Sequence, residues 1–539
     1  MKTYKIYGPP GTGKTQFLID EVKFKLIGKK YDKNKKLIDT CTAVPPQQIG
    51  YASFTKEAVR VATKRCVEYC GVNYDDLNYF RTLHSLGYEA QGFNPDTVMQ
   101  DEDYLAVFEA AGFPYVGGYQ YDSSNLDSSR EKFNDPGLSL INFAANRMIS
   151  LQEAIDLRPT EEPFTDILAK QKALEEFCKD GKKTFSHMIP TEPKHIINDS
   201  FKEIKYLFID EAQDLSTTQF EFIKLIAQRA NLKELWIAGD DDQAIYPFNG
   251  ADVHAFRNFK YDHKKILDQS YRVPRKIHKY LNNIYDKITY REPKKYTYRN
   301  GDPGSFEPYF HESDISQYYP LISSSNETFL FAARNNSILD DLRVDLGQNN
   351  IDFRYKDHMP IFFEFKEAIC QLKILEKNGR LEGKDFITIL KRIPVQTKNN
   401  PDGIKKYGYQ QKIIDKIEEG EVTHYTMTDL KACTTEVKDW SQMFKHIGSD
   451  DIIRLKEHEK NNTLEKKPNV ILDTYHGVKG AEYAHSFVFK RVNQIQQESL
   501  GREGSQDCDN EWRAYLVACS RSKHSLNILP DPKGQQYDI

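Results

Sequence analysis

The chain alternates short, wholly apolar runs with longer segments in which apolar residues return every three to four positions. YLFI at 206–209, LWIAG at 235–239, FLFAA at 329–333, VIL at 470–472 and SFVF at 486–489 read as buried parallel strands. Strands covered on both faces lose the polar alternation of a half-exposed sheet. Helical spacing marks QFLIDEV at 16–22, LSLINFAANRMISLQEAIDL at 138–157, ILAKQKALEEFCKD at 167–180, KDFITILKRI at 384–393 and YGYQQKIIDKIEEGE at 407–421. The pattern predicts an α/β protein whose strand-rich parts are interrupted twice. Residues 87–195 open the first interruption, with an acidic, Gly/Tyr-rich stretch at 112–129 followed by helices, and residues 375–467 form a second, charged and helical one.

Length and composition bound this picture. The chain has 539 residues, 39% of them hydrophobic, and single cores stop growing near ~250–300 residues, so several packed domains are expected. No apolar run approaches the ~18 residues of a membrane span and no signal-peptide pattern precedes the first motif, which predicts a cytoplasmic protein without a membrane partner. The eight cysteines show no CxxC pair; Cys66 and Cys70 are four apart on a helical pattern and read as reduced thiols. A formal net charge of −4 excludes a wholly basic surface. One local exception is residues 23–36, with seven lysines in fourteen positions, read as a solvated loop or a phosphate contact.

The chemistry starts at residue 8. Gly8, Pro9, Pro10, Gly11, Thr12, Gly13, Lys14 and Thr15 fit GxxxxGK[ST] between a strand and an apolar helix. Such a loop turns backbone N–H groups toward phosphate oxygens, the lysine neutralises the β/γ-phosphates, and the hydroxyl of Thr15 suits Mg²⁺. A second motif follows YLFI: Asp210 and Glu211 stand at the carboxyl end of a buried strand, where open α/β sheets bind ligands. Asp210 is expected to hold Mg²⁺ through water, and Glu211 to polarise an attacking water. Lys14 and Asp210 are 196 positions apart, more than a nucleotide-binding core needs.

FIDEAQDLSTTQF, IAGDDDQAIYPFNGAD and LDQSYRVPRKI, in this order, resemble the superfamily 1 DNA helicases of the UvrD/Rep/PcrA type. ASFTKEAVRVATKR and RTLHSLGYEA precede them in family order, and LDTYHGVKGAEYAHSFVF and EWRAYLVACSRSKHSL follow. The resemblance implies two RecA-like P-loop domains, parallel sheets flanked by helices, each interrupted by a mainly helical insertion domain. It places the first at 1–86 and 196–263, its insert at 87–195, the second at 264–374 and 468–539, and a reduced insert at 375–467. The second domain is expected to include KILDQSYRV as a strand. ATP and Mg²⁺ are implied in the cleft, and single-stranded DNA and single/double-strand junctions as partners; a monomer is compatible.

By position in the family pattern, Arg272 and Arg521 are the cations facing the γ-phosphate, Gln243 its sensor, Tyr271 a ring for the adenine, and Glu482 a neighbour of ribose or phosphates. Gly480 and Gln16 join the nucleotide set. Phe54, Thr55, His84, Tyr246, Phe248, Asn249, Arg334 and His476 are the implied nucleic-acid contacts, where stacking contributes ~1–3 kcal/mol per base. Asp240, Asp241 and Asp242 are expected on the nucleotide side, with Tyr246 and Phe248 on the DNA side of one segment.

Three departures qualify the resemblance. Seven residues precede Gly8, where relatives carry a glutamine motif reading adenine, so GTP or a pyrimidine nucleotide is expected to serve within about tenfold of ATP, ~1.4 kcal/mol. Gln16 stands where relatives often have arginine, and Phe248-Asn249 where they have tryptophan-arginine. The short tail after HSL leads to the expectation of no appended nuclease. The implied activity is an ATP-dependent single-stranded DNA translocase and helicase of 3′ to 5′ polarity. The alternatives are a translocase that displaces proteins with little unwinding, and a nucleotide-gated DNA-binding scaffold.

Overall fold

The computed structural model describes the chain except residues 32–35, 116–134, 197–200, 350, 356–360, 398–399, 401–402, 407, 419–423, 445–446, 448, 461–463, 466 and 532–533. Most of the Gly/Tyr-rich stretch at 112–129 lies outside the described residues.

Two six-stranded, all-parallel sheets form the framework. The first runs Phe80–Thr82, Ile49–Ser53, Tyr206–Ile209, Glu234–Gly239, Lys2–Tyr7, His263–Ile266 from edge to edge. The second runs Phe353–Tyr355, Val470–Thr474, Phe329–Ala333, Tyr483–Phe489, Ser522–Leu529, Ser305–Glu307. The uninterrupted apolar runs are the central strands: Tyr206–Ile209 and Phe329–Ala333 are buried at every position. Helices on both faces complete separate cores, with Ile223, Leu207 and Ile237 in one and Leu330, Val488 and Leu516 in another.

The edge strand His263–Ile266 departs from expectation. KILDQSYRV was expected to supply a strand of the second domain, but His263–Ile266 pairs with Lys2–Tyr7 in the first sheet, in register from Tyr4 opposite His263 to Tyr7 opposite Ile266. Periodicity identifies a strand and cannot say which sheet accepts it. The chain crosses to the second domain only afterwards, at Gln269 to Val273.

Both interruptions are helical. The first contains Asp101–Ala110, Pro136–Arg147, Leu151–Leu157 and Phe164–Phe177. The pattern at 138–157 is two helices: Met148 adopts φ 54° and ends the first by donating its N–H back to the helix, and Ser150 caps the second. The second insert has its own core of Phe386, Leu390, Leu430, Trp440 and Leu455. Helix Ile361–Glu376, expected mostly on the second-domain side of residue 375, contributes Phe365, Ala368, Ile369 and Leu372 to that core.

Candidate active site and nucleic-acid face

Strand Lys2–Tyr7 ends in the glycine-rich loop, and helix Lys14–Ile27 starts at its far side. Gly11 and Gly13 have φ of 73° and 78°, a left-handed conformation that costs other residues strain. A Cβ on Gly8 would lie 2.1 Å from the Lys14 side chain, so this position must be bare. Lys14 is buried, donates to the Gly8 carbonyl at 3.1 Å and lies 3.7 Å from the Glu211 carboxylate. Thr15 donates its hydroxyl to Asp210 at 2.6 Å, and Tyr51 donates to the same oxygen at 2.8 Å.

Asp210 and Glu211 respond differently to one environment. Burial and the charge of Glu211 raise the Asp210 pKa, partly offset by Thr15 and Lys14. Burial also pushes Glu211 up, but Lys14, Lys479, the Gln213 amide and Arg521 outweigh it and hold the carboxyl at about 2. Glu211 sits at φ 52°, a strained conformation that aims its side chain off the strand end. Asp210 with Thr15 offers a hard-oxygen donor set whose carboxylate is under-neutralised, so these residues fit a Mg²⁺ ion.

The second domain closes over this loop. Ser270 donates to the Pro10 carbonyl at 2.9 Å and the Tyr271 N–H to the Gly11 carbonyl at 2.8 Å. A Cβ on Gly11 would meet Arg272 at 2.4 Å. Tyr271 itself is 64% exposed beside the loop. Arg272 donates from Nε to Glu482 at 2.7 Å, and Lys523 lies 2.7 Å from the other Glu482 oxygen. Burial pushes Glu482 up, and the two cations bring it down to about 2. Arg521 is buried and reaches across to the Gln243 side-chain oxygen at 2.8 Å. Burial and Arg272 lower its pKa to about 9, so it remains a cation at neutral pH. Gln16 turns away toward Asp20 on its own helix, and Gly480, at φ 83°, marks the turn before Glu482.

A chain of polar groups leaves the nucleotide loop. Gln213 donates to Glu211 at 2.6 Å and to Asp214 at 3.2 Å, and accepts from the Asp240 N–H at 2.9 Å. Lys479 from the second domain donates to Asp214 at 2.6 Å and to the Gln243 carbonyl at 2.5 Å. Its ammonium also lies 5.0 Å from the centre of the Tyr246 ring. Gln213 and Lys479 were not singled out from the sequence, although each lies within a recognised motif; their roles depend on contacts across the cleft.

Tyr246 stacks on Phe54 at 5.6 Å and meets Phe248 edge-on at 5.9 Å. Phe248 is 43% exposed and lies 5.4 Å from His476, with Arg334, Asn335, Asn336 and Thr474 lining the same cavity of about 360 Å³. Phe54 is buried beneath Tyr246, and Thr55 caps helix Lys56–Cys70 by accepting from Ala58. His84 is buried against Phe185, and burial lowers its pKa to about 4; burial and the charges of Arg334 and Lys479 take His476 down to about 3. The Asn249 carbonyl lies 3.5 Å from the Asn146 amide of the first insert. Arg334 is held by a two-pronged ion pair with Glu511 at 2.7 and 2.8 Å.

Asp240, Asp241 and Asp242 correct the expectation that all three face the nucleotide. Their carboxylates enclose the Lys294 ammonium, at 2.7 Å from Asp240 and 2.9 Å from Asp242, with Asp241 also in contact. Arg291 grips Asp242 with two hydrogen bonds, of 2.9 and 2.6 Å. Only Gln243 continues toward Glu211 and Arg521. Asp240 instead orients it, accepting from the Gln243 amide at 2.6 Å.

Two parallel-sheet domains meeting at a glycine-rich phosphate loop, with Arg521 of one reaching Gln243 and the field of Glu211 in the other, define a RecA-like P-loop nucleotide-binding class. Residues 1–264 match the family model of the UvrD/REP helicase N-terminal domain. The chain is 24% identical over 391 residues to the ATP-dependent DNA helicase Rep of Buchnera aphidicola, covering 68% of this chain and 50% of that protein. It is 25% identical over 333 residues to PcrA of Bacillus subtilis, 57% of this chain and 42% of the relative, and 36% identical over 104 residues to PcrA of Leuconostoc citreum, 19% and 14%. Residues 1–264 thus carry a UvrD/REP helicase N-terminal domain, and the chain is similar to superfamily 1 helicases of the UvrD/Rep/PcrA type. The matched segment spans about half the length of the first two relatives.

Proposed function

We propose that the chain is an ATP-driven motor that moves along single-stranded DNA and unwinds duplex at single/double-strand junctions, acting in the cytoplasm of a bacterium or of a virus's host. The observation that carries this reading is the continuous polar path from Glu211 through Gln213, Asp214 and Lys479 to Tyr246. It links a candidate hydrolytic carboxylate to an aromatic cluster with one open ring, Phe248.

The parts divide as follows. The loop N–H groups and Lys14 bind phosphate oxygens. Glu211, kept ionised by Lys14 and Lys479, orients the attacking water. Thr15 and Asp210 would hold Mg²⁺, which when bound neutralises charge on the β/γ-phosphate oxygens. Arg521 and Arg272 exchange their present partners, Gln243 and Glu482, for charge developing on the transferred phosphoryl group, a role worth ~10³–10⁵ in rate for arginine fingers. The exposed Tyr271 ring offers a platform for the base. On the nucleic-acid face Phe248 stacks, Tyr246 and Phe54 support it, and His476, Arg334, Asn249, Thr55 and His84 shape and line the track.

We divide the chain accordingly into a first core of 1–86 and 196–267, a second core of 268–360 and 468–539, and helical inserts between. The family resemblance supports 3′ to 5′ polarity. Strand displacement on 3′-tailed against 5′-tailed duplexes tests it, alongside ATP hydrolysis with and without single strands. Hydrolysis stimulated by DNA without displacement supports the protein-stripping alternative, and absence of stimulation refutes the motor.

A further inference from the structure

Positive charge is concentrated on both sides of the QSYRVP motif. Residues 257–299 hold thirteen Lys and Arg against four Asp and Glu, in a chain whose net charge is −4, so the remainder is strongly acidic. The segment forms the edge strand His263–Ile266, the crossing to the second domain and helix Arg275–Tyr285. That helix buries Ile277, Tyr280, Leu281 and Ile284 and turns Arg275, Lys276, Lys279, Asn282 and Asn283 to solvent, with Lys287 just beyond.

Part of this charge is committed, with Lys294 and Arg291 held by the aspartates at 240–242, Arg272 by Glu482 and Lys264 by Glu292, and part is not. Among the described residues, no carboxylate lies within ion-pair distance of Lys260, Lys276, Lys279, Lys287 or Lys295, whereas Lys25 and Lys30 of the lysine-rich run at 23–36 pair with Glu234 and Glu21. Acidic groups at the margin are Asp262, Asp268, Asp286 and Glu292, the last paired with Lys264. The elements are joined into one surface: Lys264 reaches Glu292, Thr297 donates its N–H to Asp268, and the Lys276 N–H bonds the Pro303 carbonyl.

We propose that this face is a second nucleic-acid site, which grips the phosphate backbone without reading sequence. Its edge strand lies away from Phe54, which follows strand Ile49–Ser53, four strand spacings from His263–Ile266 across the first sheet, roughly 19 Å at ~4.8 Å per strand. Its composition separates nucleic acid from an acidic protein as occupant. Protein interfaces need an apolar core, yet the large apolar side chains exposed within 257–299 are all tyrosines, Tyr261, Tyr271 and Tyr290. The Tyr261 ring can stack on a base, the asparagines and lysines bond phosphates, and no exposed aliphatic side chain there offers a dry centre.

The test uses the full chain and dT oligonucleotides. A short oligonucleotide first saturates any DNA-stimulated ATP hydrolysis; further labelled dT then gives a second, salt-sensitive binding phase. In K276E/K279E/K287E, and in the milder K276Q/K279Q/K287Q, the second phase is lost while basal and short-oligonucleotide-stimulated hydrolysis are unchanged. With a longer dT strand the slope of log affinity against log salt falls by about 2, for three lost contacts at ~0.7 each. An unchanged second phase and slope overturn the proposal. So does polyglutamate competing as well as dT at equal charge, which would assign the face to an acidic protein. Failure of the motor reading shows separately, as absent stimulation in the wild type with the second phase intact.

Discussion

Replacing Lys294 with methionine removes the one cation that all three aspartates of the 240–242 run share. In the wild type the Lys294 side chain is 1% exposed and each of the three carboxylate side chains 0%. Methionine matches the chain's volume but leaves Asp242 with Arg291 and Asp241 with the more distant Arg257, at 3.8 Å. Breaking a buried ion cluster from one side costs about 3–5 kcal/mol, because the remaining charges stay desolvated. That is a large part of the ~5–15 kcal/mol by which folded proteins are stable. The sign with pH follows from Asp242, which burial raises but Lys294 and Arg291 hold at about 2. Its stabilisation exists above the ordinary carboxylate pKa, ~3.9, and is lost as pH falls toward 2. The deficit of Lys294→Met is therefore greatest near neutrality and shrinks in acid. Urea unfolding of both proteins at pH 7 and at about pH 3, inside that window, measures it, and Lys294→Met combined with Asp241→Asn should recover part of the loss. A deficit under ~1 kcal/mol at pH 7 would refute the reasoning.

Four further outcomes follow from the site. Glu211→Gln should lower DNA-stimulated ATP hydrolysis by ~10²–10⁴-fold, the range for a positioned proton acceptor, with nucleotide binding retained in a fluorescent-nucleotide titration. Arg521→Ala should reduce turnover by ~10³-fold or more, and charge-retaining Arg521→Lys should recover only part, because the ammonium lacks the planar fork that reaches Gln243. Phe248→Ala should weaken single-strand binding by ~1–3 kcal/mol in an anisotropy titration and leave basal ATP binding unchanged; equal loss of both would make the ring a core element. Asp214, raised to about 6 first by burial despite Lys479, should take up a proton as pH falls through that value and release Lys479. DNA stimulation should then decline below about pH 6, and Asp214→Asn should flatten that limb while showing the weakened stimulation at all pH values.

Much of the nucleotide loop was legible because its chemistry is local. Eight consecutive residues, 8–15, carry the turn, the lysine and the hydroxyl, and the buried strand before Asp210 announces itself by unbroken apolarity. The nucleic-acid face was legible only as positions in a motif. Whether Phe54 presents a ring or lies beneath Tyr246, and whether Arg334 is free or gripped by Glu511, depends on neighbours 177 or more residues away. The run Asp240-Asp241-Asp242 illustrates the limit: as letters it reads as three carboxylates on the nucleotide side, and in space it encloses Lys294.

The sequence by itself determined the strand cores, the phosphate loop and the order of motifs, since backbone conformation and apolar runs depend on residues close along the chain. Tertiary structure alone decided that His263–Ile266 joins the first sheet, that helix Ile361–Glu376 contributes to the second insert's core, and that Lys294 enters the aspartate cluster while Lys276 and Lys279 stay exposed. Strand pairing, core membership and charge neutralisation are set by which distant surfaces meet. Coulombic and packing forces act over a few ångströms of space, regardless of how many residues lie between.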